Sequence, residues 1–117
     1  MMENPVCEKS FEFAVRIVNL YKYLTVEKKE YVMSKQLLRC GTSIGANVAE
    51  AQKGQSHADF VTKMCIASKE ANETDYWLRL LNRTEYINQE QFASMRKDVN
   101  ELIAMLTAIC KTGMNNK

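Results

Sequence analysis

Residues that interrupt helices are scarce in this chain of 117 residues, which holds one proline, Pro5, and four glycines. Proteins on average contain roughly 5% proline and 7% glycine. Most of the remaining residues are good helix formers, so the composition predicts an all-helical protein. The length is that of a single domain, which we place at residues 1–117.

Long apolar runs are missing as well. No stretch approaches the roughly 18 uninterrupted apolar residues of a membrane-spanning helix, and the N-terminal stretch lacks the pattern of a secretion signal. We therefore expect a cytoplasmic protein without a membrane partner.

Neither sign of charge is in large excess. Sixteen Lys and Arg and fourteen Asp and Glu give a net charge of +2, and no block or tail carries charge of one sign. The composition on its own therefore does not favour a nucleic-acid partner, although folding or oligomer symmetry can gather charge on one surface.

Paired cysteine motifs are absent. The four cysteines occur singly, a pattern that favours reduced thiols in the core over a zinc site or a disulfide framework. They are Cys7, Cys40, Cys65 and Cys110.

Helical periodicity, in contrast, runs through most of the chain. Apolar residues recur at steps of three and four, which predicts four helices at about residues 5–24, 31–53, 56–84 and 88–112. Short connections force consecutive helices to run in opposite directions. The predicted fold is therefore all-α, an antiparallel up-down-up-down four-helix bundle.

Each predicted helix has an expected inward stripe and expected end signals. The stripe of the first helix is predicted as Phe11, Ala14, Ile17, Val18, Tyr21 and Leu24, and that of the third as Phe60, Met64, Ala67, Ala71, Thr74, Leu78 and Leu81. We expect N-caps at Asn4, Ser56 and Asn88, a left-handed Gly54 after the second helix and Gly113 at the end of the fourth. The link at residues 25–30 is expected to be charged and solvated.

Two glycines, Gly41 and Gly45, lie one turn apart in the second predicted helix, in the stretch RCGTSIGANVA. A phosphate-binding loop of the Walker type needs four residues between its glycines and a following Lys, which this stretch lacks. The spacing instead favours close helix packing, because glycines on one face let another backbone approach. The expected small-residue partners are Ala67 and Ala71 of the third helix.

The second and third helices carry more polar and large side chains than one inward stripe can use. A Trp aligned with Leu and flanked by carboxylates favours a subunit interface with a polar network, the alternative being a solvated face. The candidate interface residues are Arg39, Thr42, Ser43, Asn47 and Glu50 on the second helix and Glu70, Glu73, Trp77 and Leu80 on the third.

A carboxylate-metal-binding bundle enzyme is the alternative function. Di-iron bundles use Glu-x-x-His motifs, whereas the only histidine, His57, has no such spacing to Glu50, Glu70 or Glu73. Nor does His57 have a sequence partner that would mark nucleophilic catalysis. We therefore predict no catalytic residue, no metal ligand and no cofactor. Basic residues that folding could gather into a nucleic-acid surface are Arg16, Lys22, Arg79, Arg83, Arg96 and Lys97.

Two segments carry a family resemblance. SKQLLRCGTSIGANVAEAQKG, residues 34–54, and DFVTKMCIASKEANETDYWLRLL, residues 59–81, resemble the bacterial four helix bundle proteins, also called ribosomal-RNA intervening-sequence proteins and often labelled ribosomal proteins. The resemblance implies a homopentamer and no reaction. A similar bundle, the accessory protein of diversity-generating retroelements, is a basic pentamer that contacts a reverse transcriptase and nucleic acid. The function expected is thus a non-enzymatic oligomeric scaffold whose partners are its own copies and RNA, DNA or a nucleic-acid enzyme.

Overall fold

The structure, a computed structural model, describes residues 5–115. Over that range the chain forms four α-helices and no strand, which confirms the all-α prediction. The helices are α1 Pro5–Val26, α2 Met33–Ala51, α3 His57–Arg83 and α4 Gln89–Asn115. The expected cap Asn4 lies outside the described residues.

Neighbouring helices pack with opposite directions. In each pair, a contact that lies later along one helix lies earlier along the other, as short connections require. The contacts that show this are Ile17 with Gly41 and Ser10 with Gly45 for α1 and α2, Arg39 with Glu73 and Glu50 with Lys63 for α2 and α3, Cys65 with Cys110 and Asp75 with Arg96 for α3 and α4, and Lys9 with Glu101 and Arg16 with Asp98 for α1 and α4.

The core runs along the axis of the bundle. In α3 the buried residues match the predicted stripe from Met64 to Leu81, and its polar member Thr74 donates its hydroxyl to the carbonyl of Glu70 at 2.8 Å. Removing each large apolar side chain from water stabilises the fold by about 1.5–3 kcal/mol. The largest fully buried side chains are Phe13, Ile17, Leu24, Leu37, Ile44, Met64, Leu78, Leu81, Ile87, Leu102, Leu106 and Val6.

In α1 the predicted stripe is wrong in part. Phe13 is buried, whereas Phe11 is 65% exposed. The buried set is Val6, Ser10, Phe13, Ile17, Leu20 and Leu24. Both sets have helical spacing, and two phenylalanines two residues apart cannot face the same side of a helix.

The link between α1 and α2 is a second correction, because Glu30 is buried rather than solvated. Its carboxylate accepts hydrogen bonds from the backbone N–H groups of Val32, Met33 and Ser34, at 3.1, 3.0 and 2.7 Å. Burial acts to raise the pKa of Glu30, but these hydrogen bonds outweigh it and lower the pKa. Glu30 thus replaces a side-chain cap at Val32, which makes none.

Two expected caps are present in the structure. The Ser56 hydroxyl accepts from the backbone N–H of Asp59 at 3.1 Å, and Asn88 and Gln91 accept reciprocally from each other's backbone N–H at 2.7 and 2.8 Å. These reciprocal bonds satisfy N–H groups that the first turn of a helix leaves unpaired.

The two glycine end signals, in contrast, are wrong. Gly54 is not left-handed, since no glycine among the described residues has a positive φ; Lys29 and Glu85 take that conformation instead. Gly113 lies inside α4 and is buried. A Cβ there would lie only 2.6 Å from the side chain of Val61, so the position favours glycine.

The cysteine prediction is also corrected. Cys65 of α3 and Cys110 of α4 form a disulfide, with their Cα atoms 5.1 Å apart. Residues 45 positions apart meet because the two helices are antiparallel, which spacing along the chain does not reveal. Cys7 and Cys40 remain thiols, and burial raises the pKa of Cys40 to about 11, which keeps it protonated and unreactive.

Candidate interaction surface

A polar network joins α2 to α3 at the surface. The guanidinium of Arg39 donates to Glu70 Oε1 at 3.4 Å and to Glu73 Oε2. Trp77 Nε1 donates to the same Glu73 oxygen at 3.1 Å. Glu70, Glu73 and Trp77 lie on one side of α3 because they are three and four residues apart. We call these four residues, Arg39 with the three of α3, the polar network.

The polar network is partly shielded from water and carries an excess of one negative charge. The side chain of Arg39 is 48% exposed, whereas that of Glu70 is 18% exposed. Partial burial acts to lower the pKa of Arg39, but the charges of Glu73 and Glu70 outweigh it and raise the pKa. The hydrogen bonds among the four residues hold their side chains in defined positions.

The other candidate interface residues lie around the polar network without joining it. Thr42, Ser43 and Asn47 hydrogen-bond to carbonyl groups of their own helix, at 2.6, 2.7 and 2.8 Å. Glu50 lies near the C-terminal end of α2, away from Arg39, and forms an ion pair with Lys63 at 3.0 Å. Leu80 is half-buried. The structure thus brings four of the nine candidates into direct contact and leaves the others at the margin.

The glycines contact a different helix from the one expected. A Cβ on Gly41 would lie 2.7 Å from the side chain of Ile17, and one on Gly45 would lie 3.1 Å from the carbonyl oxygen of Ser10. Both neighbours belong to α1. Ala67 and Ala71 are buried in the core, but the closest approach that the glycines permit is between α1 and α2.

The candidate basic residues divide into two groups. Arg16 of α1 is neutralised locally, since it donates to Asp98 at 2.6 Å and to the hydroxyl of Ser94 at 2.7 Å. Lys22 and Lys97 are on the outside of their helices. Arg79, Arg83 and Arg96, in contrast, line one groove of about 420 Å³ between α3 and α4. We call this the arginine groove; its other lining residues are Tyr76, Leu80, Asn82 and Phe92.

A larger and more apolar groove lies at the opposite end of α3. It has a volume of about 650 Å³, and its lining includes Val61, Ile66, Met114 and the Cys65 side of the disulfide. His57 lines it too and places Nε2 at 3.2 Å from the carbonyl oxygen of Gly113. No group of three His, Cys, Asp or Glu side chains converges on a metal-sized space anywhere in residues 5–115.

Residues 5–115 also contain no helix that is both long and apolar enough to cross a membrane.

Sequence reasoning missed two of the residues that shape these surfaces. Asp75 forms ion pairs with Arg79 and Arg96, at 3.2 and 3.0 Å. Its spacing of four residues from Arg79 could have predicted the first of these pairs. Glu30 accepts hydrogen bonds from the first backbone N–H groups of α2, the helix that carries Arg39. A carboxylate just before a predicted helix start was the available clue.

Comparison with known proteins places the chain in a family. The sequence model of the 23S rRNA-intervening sequence proteins matches residues 2–108, nearly the whole chain. The chain belongs to this family. A solved structure agrees: a protein of unknown function from the S23 ribosomal protein family of Bacteroides thetaiotaomicron VPI-5482 is similar, with a TM-score of 0.89 and 62% identity. The similarity covers 91% of this chain and 98% of that one.

Neither the family description of the 23S rRNA-intervening sequence proteins nor that of the Bacteroides relative names a reaction. No curated protein matches the chain.

Proposed function

We propose that this 23S rRNA-intervening sequence protein is a non-enzymatic scaffold that assembles with copies of itself, as a pentamer, through the face that carries the polar network. The observation that carries this proposal is the network itself. In this network one Arg pairs with two carboxylates, and the N–H of a Trp donates a hydrogen bond to one of them. Aromatic and ordered polar groups of this kind are enriched at interfaces.

The size of this face is sufficient for a stable contact. Helix α3 has 27 residues, so it is about 40 Å long at about 1.5 Å per residue. The bundle measures 46 × 24 × 20 Å, and one long side therefore offers an area close to the roughly 800 Å² per partner of a standard interface.

Light scattering coupled to size-exclusion chromatography tests the assembly. The expected mass is five times the 13.5 kDa of one chain. We expect Trp77→Ala to weaken association more than folding, because the side chain is partly exposed in the single chain and would be covered in the assembly. Equal loss of both would place Trp77 in the core of the single bundle.

Phe11→Ala is the matched control for this experiment. Phe11 is an aromatic residue on the outside of α1, 65% exposed, and away from the polar network. If Phe11→Ala separates the copies and Trp77→Ala does not, the interface lies on α1 and our assignment is wrong.

Association with nucleic acid is the second function that we propose, and the arginine groove favours it. The overall charge is only +2, but phosphate binding depends on local charge, and three arginines line this groove. RNA or DNA that binds at about 50 mM salt and dissociates by about 200 mM would support this role. If no RNA or DNA binds at low salt, the nucleic-acid role is wrong.

We also propose a cytoplasmic location. Glutathione and thioredoxin keep most thiols reduced in the cytoplasm, so this location predicts that Cys65 and Cys110, which form a disulfide in the structure, are thiols inside growing cells. Alkylation of thiols before lysis, followed by mass spectrometry, measures this directly. A pair that is fully disulfide-bonded at the moment of trapping would argue for an oxidising compartment.

A further inference from the structure

The arginine groove has an unusual balance of charge. Arg79, Arg83 and Arg96 line the groove, and among the described residues the one carboxylate that pairs with any of them is that of Asp75, which contacts Arg79 and Arg96. Among the described residues Arg83 has no hydrogen-bond or ion-pair partner, and it is exposed. The groove therefore holds two positive charges in excess, in a molecule whose total excess is also two.

The ion pairs leave the useful donors available. Both Arg79 and Arg96 contact Asp75 through Nε, so the terminal amino groups of their guanidiniums are not used by these pairs. Guanidinium groups of this kind bind phosphate oxygens with directed hydrogen bonds. Arg16 is a contrast, because its terminal nitrogens are already taken by Asp98 and Ser94.

Aromatic rings lie among these cations. Tyr76 is 49% exposed and stands edge-on to Trp77, with ring centres 5.1 Å apart. The guanidinium of Arg96 lies over the ring of Phe92, 5.5 Å from its centre. An exposed ring next to a cluster of arginines suits an unpaired base, which can stack on the ring while its phosphates meet the arginines. A duplex offers no such free base surface.

We propose that the arginine groove is a binding site for a single-stranded segment of nucleic acid, with phosphates on Arg79 and Arg83 and a base against Tyr76. This inference rests on the nucleic-acid role proposed above and does not depend on assembly. It adds the location of the site and the kind of strand that it accepts.

Fluorescence anisotropy with a labelled oligouridine of about 12 nucleotides tests the proposal, since single-strand sites span roughly 4–16 nucleotides. Arg83→Gln removes one phosphate contact, so we expect weaker binding and a salt dependence reduced by about one unit of slope. Tyr76→Ala removes the stacking surface, so we expect a loss of about fivefold to a hundredfold with the salt dependence unchanged.

Arg16→Gln is the matched control and should bind like the wild type. Arg83 is exposed and unpaired, so its replacement should leave the fold intact, which circular dichroism and light scattering verify. If the wild type binds but Arg83→Gln and Tyr76→Ala bind equally well, the groove is not the site, although the nucleic-acid role stands. If the wild type does not bind at about 50 mM salt, both fail.

Two competitors test the kind of ligand. A duplex of the same length should compete more weakly than the single strand, because its bases are already stacked. Polyglutamate should also compete more weakly, because it offers charge without a stacking surface. If either competes as well as oligouridine, the assignment to single strands is wrong.

Discussion

Replacing Gly41 by alanine tests how closely α1 and α2 pack. The new Cβ would lie 2.7–2.9 Å from three side-chain atoms of Ile17, which is fully buried in the core. Overpacking of this kind costs about 1–3 kcal/mol, while the better helix propensity of alanine returns about 1 kcal/mol. The expected net effect on the free energy of unfolding is therefore a loss of about 0–2 kcal/mol.

In a protein that already carries Ile17→Ala, the effect of Gly41→Ala on the free energy of unfolding should have the opposite sign. Ile17→Ala alone should cost about 2–5 kcal/mol, because it leaves a cavity in the core. With the three contacting atoms gone, the methyl group added by Gly41→Ala meets open space, so this second change should now stabilise the protein by about 1 kcal/mol. The difference between the two backgrounds is the coupling energy between the two positions.

Guanidinium denaturation followed by circular dichroism at fixed protein concentration measures all four proteins of this cycle. Ala46→Gly, at a position of the same helix outside the core, calibrates the propensity difference in this host. If Gly41→Ala has the same effect in both backgrounds, within about 0.5 kcal/mol, the two side chains do not compete for space and the close approach is wrong.

Three further predictions concern the helix ends and the disulfide. Glu30→Gln should lower the free energy of unfolding by about 1–3 kcal/mol, since it removes a charged acceptor of three backbone hydrogen bonds. Because the pKa of Glu30 is lowered in the folded state, the stabilisation by its carboxylate is present above the ordinary carboxylate pKa and is lost as pH falls through the folded pKa. If acid lowers the free energy of unfolding equally in the wild type and in Glu30→Gln, this reasoning is contradicted. Reducing Cys65–Cys110, which closes a loop of 45 positions, should cost up to about 4 kcal/mol in denaturant, and an unchanged midpoint would show that the bond does not constrain the unfolded chain. Ser56→Ala should cost about 0.5–2 kcal/mol in the same assay, whereas no loss would mean that the bond to Asp59 does not stabilise α3.

The fold could be predicted from the sequence because its main signals are local. The stripe of α3 repeats at steps of three and four over most of the helix, and the stretch around Ser56 is a local cap signal. In α1 the same kind of reasoning failed at Phe11 and Phe13, since two overlapping stripes satisfy the period and only the packed partner selects one.

Features that depend on contacts between helices could not be predicted from the sequence. The disulfide joins positions with no motif in common, and the partner of Gly41 is set by how α1 lies across α2. The polar network could be anticipated in part, because Glu70, Glu73 and Trp77 share a face by spacing alone. Their joint contact with Arg39 required the antiparallel register of α2 and α3.

Assembly through the polar network is the central claim, and the mass of the purified protein in solution tests it most directly. Light scattering at micromolar concentration should give five times 13.5 kDa for the wild type and a smaller mass for Trp77→Ala, with the helical content of both unchanged. A wild-type protein that remains a single chain of 13.5 kDa at that concentration would contradict the account.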